Sequence, residues 1–132
     1  MEQKNEMTIT FDSRSCNEGF VRVAVAAFCT QLNPTLEEVA DIKTAVSEAI
    51  TNSIIHGYDG EVKKIRVDCY TRERTIYVTV TDEGKGIEDV AKAMGFAFME
   101  AFMDEVQVES QVGKGTVVRM KKTIGNHRES FA

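Results

Sequence analysis

Two stretches of strict alternation limit what this chain can fold into. In residues 63–71, Ile65, Val67 and Cys69 alternate with Arg66, Asp68 and Tyr70. In residues 75–81, Ile76, Val78 and Val80 alternate with Tyr77 and Thr79. A period of two places the apolar side chains of a strand on one face, so each stretch predicts a strand with one side buried and one side wet. Only residues 72–74 join them, which is hairpin length. A lone hairpin cannot keep its apolar face from water, so other elements must cover it.

The flanks supply that cover. Ser15 with Glu18 has the form of a capping box and predicts a helix from Cys16 to about Leu32. Its apolar stripe is Phe20, Val21, Ala24, Val25, Phe28 and Leu32, and Asn33-Pro34 ends it. Thr35 with Glu38 forms a second box and opens a helix over residues 36–56. That helix is buried through Val46, Ala49, Ile50 and Ile54 and is stopped by Gly57. A strand precedes both at residues 6–11, where Met7, Ile9 and Phe11 alternate with polar residues. Beyond the hairpin, Phe96, Phe98, Met99 and Phe102 predict a third helix over residues 95–102. Val106 and Val108 predict a fourth strand, residues 111–115 a turn, and Val118 and Met120 a last strand over residues 116–123. The order β-α-α-β-β-α-β-β lets all helices lie on one face. The expected fold is an α/β two-layer sandwich with a mixed, mostly antiparallel sheet, in one domain over residues 1–124 with a loosely held tail at 125–132.

Composition narrows the function classes. A net charge of -5 lacks the basic face that sequence-independent nucleic-acid binding requires. No apolar run reaches membrane-spanning length and the N-terminus lacks a signal-peptide core, so no membrane partner is expected and the cytoplasm is the expected compartment. Cys16, Cys29 and Cys69 are scattered without a CxxC pair, which favours reduced thiols over a metal site.

Three segments carry the candidate chemistry. In VSEAITNSIIHG, residues 46–57, Glu48 and Asn52 lie four apart on one stripe of the second helix, continued by His56. A carboxylate there can take a proton from a nucleophile, and a carboxamide oxygen is a hard ligand suited to magnesium. Alone, such a pair is most often a solvated helix face. The second segment, Asp82-Glu83-Gly84-Lys85-Gly86-Ile87, is a glycine-rich loop at a strand end, where a backbone can approach a ligand and Asp82 can accept a hydrogen bond from an exocyclic amine. The third, Gly113-Lys114-Gly115-Thr116, precedes the last strand and taken alone reads as a hairpin turn.

In this order the three segments resemble the N box, the first glycine box and the last glycine box of the ATPase fold shared by DNA gyrase, MutL and the sensor histidine kinases. IKTAVSEAITNSIIHGY, TDEGKGI and MGFAFMEAFMDEV further resemble the anti-sigma F factors, a family of sporulation serine kinases; the likeness runs from about Asn5 to Thr123. The resemblance implies ATP or ADP and magnesium (Mg2+) as cofactors. It implies Glu48 as general base toward a substrate serine, Asn52 as magnesium ligand, and Asp82, with Thr116 through water, as the adenine contact. Gly84 and Gly86 would give the base and sugar room, and Gly95 would begin a helix whose N-terminus favours phosphate. It also implies two protein partners, a sporulation sigma factor and an anti-anti-sigma factor, with Glu18 and Arg22 in NEGFVRV as contacts, and a homodimer. The plain alternative for Glu18 and Arg22 is a pair of solvent-facing charges.

The chain departs from that family between Ile87 and Gly95. Relatives carry a lid there that closes over the phosphates; here only residues 88–94 intervene, and the serine-glycine that normally precedes Met94-Gly95 is missing. Either the lid is deleted or the sequence omits a stretch of the full protein. A lost lid implies weaker nucleotide binding and poor phosphoryl transfer. It supports a second reading, a non-catalytic module that only sequesters a sigma factor. A histidine kinase catalytic domain ranks below both, because no dimerisation helix with a phosphoacceptor histidine precedes the domain.

Overall fold

The computed structural model describes residues 4–86 and 96–125. Its strands are β1 (Asn5–Asp12), β2 (Lys64–Arg72), β3 (Thr75–Asp82), β4 (Glu105–Gln111) and β5 (Gly115–Thr123), and its helices are α1 (Ser15–Cys29), α2 (Leu36–Asn52) and α3 (Phe96–Phe102). The sheet runs in the order β1-β2-β3-β5-β4. The mostly antiparallel sheet expected from the sequence is antiparallel at every one of these pairings. The last strand, β5, inserts between β3 and β4.

The alternation of the hairpin does what its period requires. Ile65, Val67, Ile76 and Val78 are fully buried and share one core with Ile42, Val46 and Ile50 of α2. Each such side chain taken out of water stabilises the fold by about 2 kcal/mol. The opposite face stays wet, and there Tyr70 stacks on its cross-strand partner Tyr77 with ring centroids 4.4 Å apart. α2 packs between α1 and α3.

Both ends of α1 differ from expectation. Ser15 is its first helical residue, and the N-cap is Arg14, which contributes no side-chain hydrogen bond, so the Ser15–Glu18 box does not form. β1 continues to Asp12, leaving a tight corner that the Asn17 side chain closes by donating to the Asp12 carbonyl at 2.9 Å. The helix ends at Cys29 and tightens into a 3-10 turn over Thr30–Leu32, after which Asn33 takes a left-handed φ of 54°. The buried stripe is Val21, Val25, Ala26, Phe28 and Cys29, which leaves Phe20 outside it, 66% exposed.

The second box forms as read. The Glu38 N–H donates to Thr35 Oγ1 at 3.1 Å and the Thr35 N–H to Glu38 Oε1 at 2.8 Å. The other Glu38 oxygen accepts the Gly125 N–H at 2.9 Å, and Ile124 is fully buried. The first residue of the expected tail is therefore fastened to the start of α2; residues 126–132 lie outside the described residues. At its far end α2 stops being α-helical at Asn52 and opens into a π turn over Ser53–Gly57, closed by the Tyr58 N–H on the Ser53 carbonyl at 2.9 Å.

Candidate functional site

Asp82, the last residue of β3, is only 3% exposed and sits where the three motif segments meet. Its Oδ2 accepts the Ser53 hydroxyl at 2.7 Å and its Oδ1 the Gly84 N–H at 2.9 Å. The π turn makes this possible. Its wider winding brings both Ser53 and Gly57 onto the carboxylate, and a side chain at Gly57 would press against it at 3.0 Å. Antiparallel pairing sets Thr116 opposite Asp82 in the sheet, and the Thr116 hydroxyl shares a 2.7 Å hydrogen bond with that of Ser110.

Backbone bonds lock the segments together. The Lys85 N–H donates to the Gly57 carbonyl at 2.9 Å, and the Gly113 N–H donates to the Lys85 carbonyl at 2.7 Å. The Glu83 N–H donates to the Tyr58 hydroxyl at 2.8 Å, while that hydroxyl donates to the Lys64 carbonyl. Burial, joined by the Asp82 and Glu83 carboxylates, pushes the Tyr58 phenol above its usual range, so it keeps the proton it donates. Gly84 lies against the Gly57 carbonyl and Gly86, with φ 78°, against the Gln111 carbonyl; a side chain at either would overlap backbone. These two glycines fasten the loop between α2 and the β4–β5 turn, and neither lines the cavity beside it.

That cavity is lined at one end by Ser53, Asp82 and Thr116, with Ala49, Phe96, Met99 and Val118 as apolar walls. The arrangement suits a flat heterocycle whose amine meets Asp82 while its faces meet apolar side chains. Asn52 also lines it, half-buried, and its amide has no hydrogen-bond partner among the described residues. Glu48 does not line this cavity. It lies one turn earlier on α2, in a groove with Arg22, Lys43, Thr44 and Ser47. Residues 87–95, which include Gly95 and the segment 88–94 where the family carries its lid, lie outside the described residues.

Glu18 and Arg22 form an ion pair at 3.6 Å, longer than a hydrogen bond. Sequence reasoning missed Ser53 and Tyr58 and read Phe96 and Met99 only as an apolar helix. Ser53 left one trace: a hydroxyl on a face otherwise made of Ala49, Ile50 and Ile54 needs a buried partner.

The chain matches the histidine kinase-like ATPase domain over residues 12–122. It is 51% identical to the anti-sigma F factor of Caldanaerobacter subterraneus subsp. tengcongensis, over 97% of this chain and 100% of that protein. It is 52% identical to an anti-sigma F factor of Clostridium botulinum, over 90% of this chain and 94% of that protein. The chain belongs to the anti-sigma F factors of the histidine kinase-like ATPase family. The anti-sigma F factor of Geobacillus kaustophilus is 46% identical, over 95% of this chain and 97% of that protein. Among solved structures, the RsbU and RsbW domains of a Mycobacterium tuberculosis protein share the fold with a TM-score of 0.75 at 23% identity, over 91% of this chain and 32% of that one. The Caldanaerobacter alignment spans 143 positions against 132 residues here, so at least 11 of its positions have no counterpart in this anti-sigma F family member. No helix among the described residues is long and apolar enough to cross a membrane.

Proposed function

We propose that this chain holds a sporulation sigma factor inactive and uses ATP to phosphorylate a serine on its anti-anti-sigma partner. The observation that carries the nucleotide part is the buried Asp82 carboxylate at the polar end of an apolar cavity, with Asn52 on the wall that leads back to Glu48. In this reading Asp82 accepts the adenine amine, Thr116 supports it through water, and Phe96 and Met99 flank the ring. The unspent Asn52 amide oxygen suits a hard cation and would hold magnesium. ATP supplies the phosphoryl group. Glu48 takes the proton of the incoming serine hydroxyl, so its place outside the cavity, facing the α1 side, fits a group that meets the protein substrate rather than the nucleotide. Gly84 and Gly86 act by holding the loop on which Asp82 depends, and Gly95 would complete the phosphate side.

Docking of both protein partners is assigned to α1 around Glu18 and Arg22, supported by an ion pair that has not closed to a hydrogen bond. A homodimer belongs to the same proposal; β1 and β4 are the open sheet edges that could serve it. The shortened segment before Gly95 favours a second reading, a sigma-sequestering module without transfer.

Transfer of labelled phosphate from ATP to the anti-anti-sigma protein tests the proposal. The unmodified chain labels its substrate, and Glu48→Ala lowers the rate by about 10²–10⁴-fold while still retaining the sigma factor. Labelling by Glu48→Ala at the unmodified rate removes Glu48 from the mechanism; no labelling by either chain, with sigma binding intact, establishes the sequestering module.

A further inference from the structure

The geometry points to Ser53 as a positioning residue that sets the base preference of the nucleotide site, acting through Asp82. The inference rests on the nucleotide reading above and concerns a residue that reading does not use.

Ser53 is 4% exposed and belongs to the π turn rather than to α2 proper. Its hydroxyl donates to Asp82 Oδ2 at 2.7 Å, on the opposite side of the carboxylate from the Gly84 N–H at 2.9 Å. Rotation about the last torsion of an aspartate is broad and roughly two-fold, so an unheld carboxylate plane turns readily. Here one donor on each oxygen fixes that plane, and Gly57 lies against it. Because a hydroxyl carries one hydrogen and the Ser53 hydrogen is committed to Asp82, its remaining lone pairs face outward as acceptors, and Ser53 lines the cavity. Ser53 and Asp82 therefore present acceptors only to whatever enters.

Such a wall suits a purine with an amino group at its six position, which offers hydrogens, and opposes one with an oxo group there, which brings another acceptor against a buried carboxylate. Remove the Ser53 hydroxyl and one carboxylate oxygen loses its donor while the plane is freed. Binding of the amino purine weakens, and the penalty on the oxo purine relaxes because the carboxylate can turn away.

The test compares ATP with inosine triphosphate, its six-oxo counterpart, by calorimetric titration of the full chain. The unmodified chain prefers ATP. Ser53→Ala weakens ATP binding by about tenfold, the size expected when a buried acceptor loses its partner, and narrows the ratio of the two affinities. Ser53→Thr, which keeps a hydroxyl, restores the ratio. A purely structural loss lowers both affinities together and leaves the ratio unchanged; that result, or unchanged binding by Ser53→Ala, overturns the inference while the nucleotide reading stands. An unmodified chain that binds neither nucleotide overturns the reading and the inference together.

Discussion

Asp82 forms no ion pair among the described residues; its buried charge is held by the Ser53 hydroxyl and the Gly84 N–H alone. A buried carboxylate with so few donors is costly to the fold. Asp82→Asn is expected to weaken ATP binding about tenfold or more, since a hydrogen bond to a charged acceptor is lost. The amide can still meet Ser53 and Gly84, so the urea midpoint stays equal or rises. A matched pair of titrations and denaturation curves reads both; a fall in stability without a change in affinity would make Asp82 structural. Gly86→Ala moves in the other direction: its φ of 78° and its contact with the Gln111 carbonyl predict a loss of at least about 1–2 kcal/mol in stability. Asp82 and Asn52 became candidates only through the joint resemblance of the three motif segments, because each alone reads as an ordinary helix face or strand-end loop. Ser53 was not, because its role depends on a π turn, and nothing in a local 3.6-residue pattern announces the extra residue that turns it onto Asp82.

The elements themselves were read well wherever one periodicity ruled. The Thr35–Glu38 box was correct: one Glu38 oxygen caps the Thr35 N–H while the other serves Gly125. The Ser15–Glu18 box failed because β1 runs to Asp12 and Asn17 closes the corner instead. Glu38 does more than its motif announces, for it also receives the Gly125 N–H. Two substitutions separate these roles. Thr35→Ala removes one cap and costs about 1 kcal/mol. Glu38→Ala removes its half of the box together with the bond to Gly125 in a site that is 6% exposed, and costs more, about 2–3 kcal/mol. Urea midpoints of both variants check the order; an equal loss would mean that the Gly125 bond contributes nothing.

At the scale of the whole molecule, the strand order decides the site. β5 pairs with β3 rather than only with its neighbour in sequence, β4, and this places Thr116 opposite Asp82. Local alternation predicts strands but not such a non-consecutive pairing, so the meeting of the three motifs came from the resemblance and the structure rather than from the pattern. The core makes a separate prediction. Burial pushes the thiols of Cys29 and Cys69 up to about 12 from 9.0, with Cys29 and Asp68 adding to the shift of Cys69. Between pH 9 and 12 the unfolded chain releases protons that the folded chain keeps, so stability falls as pH rises through that window and these groups leave it unchanged below. Denaturation midpoints at pH 8 and pH 10 measure the fall, and Cys29→Ala reduces the slope. In the native state a thiol reagent modifies the exposed Cys16 and spares the other two.

The proposed phosphoryl transfer depends on the cavity beside Asp82 accepting a nucleotide despite the short segment before Gly95. Calorimetric titration of the 132-residue chain with ATP, with and without magnesium, measures this directly. The account predicts saturable binding that strengthens when magnesium is present, in keeping with the roles proposed for Asp82 and Asn52. Absence of binding under both conditions, from a chain that still holds its sigma factor, would contradict it.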